Sequence, residues 1–205
     1  VATPSLDLRD VLRLDAAAGT PLPETVITVT IPLRPVAPAQ DPVEYARGEL
    51  EIHGANVIGR LHPKALGLDP VRDKETIIEI AKLCARTDGE TTALSFRQFG
   101  LKAPEDKEAI IEIARLCIEN SALTAMWFGN FGLRPFRDRR EIEKLARLSA
   151  QKDPKTTNGC LPSFGLGNSA MARMRRLCAE KMARSAKRPA APQAPTDESG
   201  EAAQT

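Results

Sequence analysis

Ile77-Ile78-Glu79-Ile80-Ala81-Lys82-Leu83-Cys84 returns 33 residues later as Ile110-Ile111-Glu112-Ile113-Ala114-Arg115-Leu116-Cys117, with Lys82 against Arg115 the sole difference. A third copy, 32 residues further on, reads Ile142-Glu143-Lys144-Leu145-Ala146-Arg147-Leu148-Ser149. A second motif keeps the same step: Leu66-Gly67-Leu68, Phe99-Gly100-Leu101, Phe131-Gly132-Leu133 and Phe164-Gly165-Leu166. Two motifs on one period define a unit whose length is that of a helix–turn–helix layer in a stacked array. The fold expected is all-α, an αα-hairpin repeat solenoid.

Local chemistry agrees with that unit. Asp73, Asp106 and Asp138 stand just before the apolar runs, where an N-cap belongs. Pro70, Pro104 and Pro135 share the same connection and stop the preceding helix from continuing. The first helix then buries Ile77, Ile80, Ala81 and Cys84, or their equivalents, on a wide apolar arc. A shorter second helix is expected at about Thr92–Phe99, Ser121–Phe131 and Thr156–Phe164, closing at Gly100, Gly132 and Gly165 in the left-handed capping position. Its aligned apolar positions are Leu94 with Met126, Phe96 with Phe128 and Phe99 with Phe131. The stretch joining the two helices reads Arg86–Glu90, Glu119-Asn120 and Gln151–Pro154, of unequal length.

Working outward gives three clear repeats, a weak N-terminal copy (Val43–Ile52, then Val57–Leu66) and a fourth unit shortened at Asn158-Gly159. Residues 1–42 divide into a short amphipathic helix at Leu6–Ala17, an extended arm at Thr25–Leu33 with strand-like alternation broken by Pro32, and a linker at Pro35–Pro42. Residues 43–188 form the repeat domain, ending in a basic capping helix, Ser169–Lys187, that Asn168 can cap. Residues 189–205 have the composition of a disordered tail.

Composition sets limits on function. In 205 residues, 42% hydrophobic, no stretch reaches the roughly 20 unbroken apolar residues of a membrane helix. Four cysteines are too few for a disulfide-built module, and two histidines and one tryptophan leave little catalytic supply. Cys84 and Cys117 fall at equivalent places in neighbouring layers, about 8–10 Å apart, which exceeds disulfide reach. They read as reduced core residues. No paired-cysteine spacing points to zinc, no glycine-rich phosphate loop is present, and no cofactor is implied.

Charge is unevenly distributed. Residues 1–132 carry 14 basic and 19 acidic side chains, whereas residues 133–188 carry 15 basic and 5 acidic. On the outer face of the first helices, Glu75, Glu79 and Lys82 become Glu108, Glu112 and Arg115, and then Arg140, Lys144 and Arg147. The third unit reverses both acidic positions, and Arg173, Arg175 and Arg176 extend the basic run. The asymmetry points the C-terminal part to an acidic partner (nucleic acid, an anionic protein face or a membrane surface), and the rows either track a phosphate backbone or an acidic protein or simply form a solvated face. Trp127 aligns with Ser95, so it is either a part-exposed binding anchor or a contact to the next layer. The candidate binding residues are Arg140, Lys144, Arg147, Lys82, Arg115, Trp127, Arg173 and Arg176; no catalytic residue is assigned.

The frame Phe-Gly-Leu, Asp, Ile-Ile-Glu-Ile-Ala-Lys/Arg-Leu-Cys resembles short αα-hairpin repeats in proteins of host-associated bacteria, including secreted effectors. It is loosely similar to octotricopeptide-type RNA-binding repeats and, in period, to the DNA-reading repeats of transcription-activator-like effectors. The resemblance covers about residues 65–166. It implies a non-enzymatic interaction protein, a bacterial effector or scaffold that binds a protein partner such as a host protein. The alternative it leaves open is RNA or DNA binding through the basic C-terminal repeats. With no cleavable apolar leader in view, the expected location is cytoplasmic, or a host cell reached without a signal peptide.

Overall fold

The computed structural model describes residues 41–186. The expected Leu6–Ala17 helix, the Thr25–Leu33 arm, most of the Pro35–Pro42 linker, Lys187, Arg188 and the 189–205 tail lie outside the described residues. Every regular element among the described residues is helical, and none of these residues is in a strand.

The first helix, α1, spans Pro42–His53, so Pro42 belongs to it and not to a linker. Asp41 accepts from the Val43 N–H, and Pro42 occupies the first turn, where its missing donor is harmless. A 3-10 segment, Gly54–Arg60, and the one-turn α2, Pro63–Leu66, follow. Three long helices of 14 residues each come next: α3, Lys74–Thr87; α5, Lys107–Asn120; and α6, Arg139–Lys152. Each is followed by a shorter element. For α3 this is α4, Gly89–Ser95, running into a 3-10 turn at Phe96–Phe99; for α5 it is a 3-10 helix at Ala122–Phe131. After α6 comes α7, Pro154–Cys160, with a 3-10 turn at Leu161–Phe164. Finally α8 spans Asn168–Ala186, with Asn168 inside the helix.

The connections within a pair are not of unequal length. One residue suffices each time: Asp88, Ser121 and Asp153, all extended. Each ends the long helix, donating its N–H to Cys84, Cys117 or Ser149, and opens the short one by accepting N–H groups on its side chain. The long helices therefore run on through Arg86, Asn120 and Lys152, residues that sequence alone assigns to the joint.

The short elements also differ from the expected second helix. Their final turns are 3-10, in which side chains three apart share a face. That geometry buries Ala125, Phe128 and Phe131, then Phe96 with Phe99, and Leu161 with Phe164. Leu94, in α4 ahead of its 3-10 turn, and Met126 are half-exposed at 50% and 49%, so this aligned apolar pair does not serve the core. The closing glycines sit in the left-handed region, with φ of 74°, 68° and 63° at Gly100, Gly132 and Gly165.

Asp73, Asp106 and Asp138 precede their helices but do not cap them with their side chains. Their backbones, at φ near −103° to −110° and ψ near 18° to 26°, lack the extended geometry that capping needs. Each carboxylate instead accepts the backbone N–H four residues earlier, on Asp69, Lys102 and Arg134 at 2.8, 2.9 and 2.8 Å. Two of the three also reach the preceding long helix. Lys74 meets Asp106 at 2.7 Å, and Lys107 meets Asp138 at 2.9 Å.

Packing follows chain order. Helix α1 lies on α3, α3 on α5, α5 on α6 and α6 on α8, while α4 packs on Ala122–Phe131 and that segment on Leu161–Phe164. Ile77, Ile80, Ala81 and Cys84 are buried, as are Ile110, Ile113, Ala114 and Cys117, and then Ile142, Leu145, Ala146 and Ser149. Rings link successive units: Phe96 to Phe131 at 4.6 Å, and Phe128 to Phe164 at 4.3 Å. Thr92, Thr124 and Thr157 are fully buried at one repeating position, each with its hydroxyl satisfied locally. The four cysteines are free thiols.

Candidate interaction surface

In α6, the apolar positions Ile142, Leu145, Ala146 and Ala150 turn inward, which leaves Arg140, Lys144 and Arg147 exposed. In α8, Ala170, Met174 and Cys178 recur every four residues and form a narrow buried stripe. So narrow a stripe frees most of the helix circumference, and Arg173, Arg175, Arg176 and Arg184 occupy it.

Glu143 sits between these two cationic surfaces. It accepts from Arg139 at 3.0 Å and Arg173 at 3.3 Å, with Arg147 at 4.0 Å. The Arg139 hydrogen bond, outweighing partial burial and aided by the charges of Arg173 and Arg147, holds this carboxyl below its usual range. Beside it, α6 and α8 enclose a groove of roughly 200 Å³, with Ala170, Met174 and Leu177 as its floor and Glu143, Arg147 and Arg173 at its rim.

The eight residues singled out from sequence do not form one patch. Lys82 is not outward and free; its ammonium is clamped between Glu79 at 3.2 Å and Glu112 at 3.0 Å, with 17% of the side chain exposed. It joins α3 to α5. Arg115 holds the same place one unit on, but Lys144 stands where Glu112 stood, so this cross-link has no counterpart and Arg115 turns to Glu119 at 2.9 Å. Trp127 is not an exposed anchor. It packs against the core, and its indole Nε1 is buried without a hydrogen-bond partner. Arg147 and Arg173 share Glu143. Arg140, Lys144 and Arg176 are exposed and make no ion pair or hydrogen bond with any described residue.

Glu143, the groove floor and a further set of cross-links were not anticipated. Asn120 donates to Arg86 O at 2.8 Å, and Lys152, one unit later, to Glu119 O. A terminal polar residue of α5 and of α6 thus satisfies a carbonyl that the long helix before it leaves open, whereas Thr87 of α3 bonds Leu83 O in its own helix. The signal was present in the repeat, since Asn120 and Lys152 align, but their residue types differ. Comparison of the chain with protein-family models, with curated proteins and with solved structures gives no match.

Proposed function

We propose that residues 42–186 form a short αα-hairpin solenoid and that the protein is a non-enzymatic interaction scaffold, effector-like as its repeat resemblance implies. Its ligand in this reading is an acidic, partly apolar segment of a protein partner, held along α6 and α8. The cross-links at a 32–33-residue step support the solenoid: lysine to aspartate, ring to ring, terminal side chain to carbonyl.

One observation carries the partner. Lys74, Lys82 and Lys107 in the first two units each meet a carboxylate on the next long helix or its loop. On α6 and α8, Arg140, Lys144, Arg175, Arg176 and Arg184 meet none among the described residues. The same two helices enclose a groove with an apolar floor, rimmed by Arg147 and Arg173 together with Glu143. A phosphate backbone needs the cations alone; acidic side chains interleaved with apolar ones use both features. Met174 and Leu177 suit such an occupant, because a methionine-lined floor adapts its shape.

The row of free cations also favours a second reading, RNA or DNA binding. Affinity capture on the full chain, before and after nuclease, separates the two, with Arg140→Glu/Lys144→Glu/Arg176→Glu as control. A protein whose capture survives nuclease and is lost in the triple variant supports the first reading. Retention of nucleic acid that drops about 10³-fold between 50 and 200 mM salt, and vanishes in the variant, replaces it with the second. Capture indifferent to the triple variant sinks both.

A further inference from the structure

Ahead of each long helix the chain closes the same small ring. Asp73 donates its N–H to Asp69 O at 2.9 Å, while Asp69 N–H returns to Asp73 Oδ2 at 2.8 Å. Lys102 with Asp106 and Arg134 with Asp138 repeat this reciprocal pair at 2.8–2.9 Å. Each ring spans three residues, and the middle one is exposed and apolar every time: Val71, Pro104 and Phe136. Val71 is 84% exposed and Phe136 is 101% exposed. Such side chains contribute nothing to the core.

These crests are held in a row. Lys74 binds the second ring through Asp106 and Lys107 the third through Asp138, so neighbouring rings are fixed about one helix spacing apart, roughly 10 Å. Pro135 rests on the next corner, where a Cβ on Gly165 would come within 2.8 Å of its Cγ, so the third crest is seated from behind. Where the second and third rings begin, at Lys102 and Arg134, runs a groove of roughly 460 Å³ whose charged lining is Arg97, Lys102 and Arg134, with no carboxylate. None of these three cations has a partner among the described residues, and Arg137 beside Phe136 makes no ion pair there either. On the same edge, Asp69 is occupied by the Val71 and Arg72 N–H groups, and Glu105 is exposed.

We propose that this edge seats on an anionic membrane surface, with Val71, Pro104 and Phe136 entering the headgroup layer and lipid phosphates taking the groove between Arg97, Lys102 and Arg134. Separate exposed crests at the same place in three successive rings, with unpaired cations at the base of two of them, suit a surface that yields around each tip; a protein partner would instead have to supply a pocket for every crest. The contact is peripheral, since no helix among the described residues is long and apolar enough to cross a membrane. The site is distinct from the α6–α8 groove and does not depend on it.

Co-sedimentation of the full chain with vesicles tests this. Binding is expected to vesicles of phosphatidylcholine with about one third phosphatidylserine and not to phosphatidylcholine alone, because each surface cation adds roughly fivefold on an anionic bilayer. Val71→Ser/Phe136→Ser lowers that binding at least about tenfold by removing the inserted apolar area. Arg97→Gln/Lys102→Gln/Arg134→Gln lowers it about 100-fold. The exposed sites let both variants keep the wild-type melting curve, which circular dichroism checks. Absence of binding at low salt overturns the proposal, as does a Val71→Ser/Phe136→Ser variant that binds like wild type. So does a wild-type dimer that this variant dissolves, because the crests would then cover a second copy.

Discussion

Replacing Gly89 with alanine adds one methyl group at the tightest contact between two units. An ideal Cβ there falls 2.1 Å from Cys117 O and 2.7 Å from both C and Cα of the same residue. All three are backbone atoms of α5, so no side-chain rotation relieves the clash, and α4 has to withdraw from α5. Withdrawal also lengthens the hydrogen bond from Gly89 N–H to Asn120 Oδ1, now 3.0 Å, and disturbs the bond from Asn120 to Arg86 O. Overpacking against an unyielding wall costs about 1–3 kcal/mol, and each part-buried hydrogen bond about 1 kcal/mol more. Allowing for alanine's gain in helix propensity, the net loss is about 3 kcal/mol. For a chain of this size that lowers Tm by roughly 6–12 °C. The internal control is Gly159→Ala in α7, where a Cβ meets nothing within 4 Å; it should raise stability by about 0.5 kcal/mol. Urea and thermal unfolding of both variants measure the contrast. If Gly89→Ala unfolds within about 0.5 kcal/mol of wild type, the close approach is not a constraint and the reasoning fails.

Burial pushes the carboxyls of Asp106 and Asp138 upward, but Lys74 with the Lys102 N–H, and Lys107 with the Arg134 N–H, outweigh it and hold both below 3.8. A depressed folded-state value means stability that is full above the unfolded value and lost as pH falls through the folded one. Urea midpoints should therefore drop in acid, and Lys74→Met/Lys107→Met should flatten that acid limb while lowering stability at neutral pH; a limb of unchanged steepness refutes the cross-links. Phe128→Leu and Phe164→Leu should couple by about 0.5–1.5 kcal/mol in a double-mutant cycle, since their rings stand 4.3 Å apart, and additive effects would deny the stack any role. Burial raises the Cys84 thiol to about 12 and pushes Cys117 upward as well, whereas Cys160 is half-buried. Mass-spectrometric alkylation should find Cys160 modified first in the native protein and Cys84 and Cys117 only on unfolding; early labelling of Cys117 would contradict its burial.

The helical elements were readable because Ile77, Ile80, Ala81 and Cys84 follow the 3.6-residue period and their copies repeat it without interruption. The closing glycines were readable for a similar reason, since few residues other than glycine tolerate their φ. Side-chain pairing across units was not readable. An aspartate before a helix looks the same in sequence whether it caps that helix or binds a lysine of the previous one, and only backbone angles decide. Lys82 was misread as outward because its helical position is outward for an isolated helix; the next helix brings Glu112 over it. Gly89 carries no repeat signal at all, since Ala122 and Pro154 hold its place elsewhere.

The lysine–aspartate rungs also have a last member. Arg139 takes the seat of Lys74 and Lys107, but it bends back to Glu143 in its own helix, and the position one period beyond Asp138 is Met171. Among the described residues no lysine–aspartate rung joins α6 to α8; Arg173 of α8 meets Glu143 of α6 at 3.3 Å instead. Docking of α8 on α6 therefore rests on the buried Ala170, Met174 and Cys178 and on that ion pair, a join held more by apolar contact than by charge.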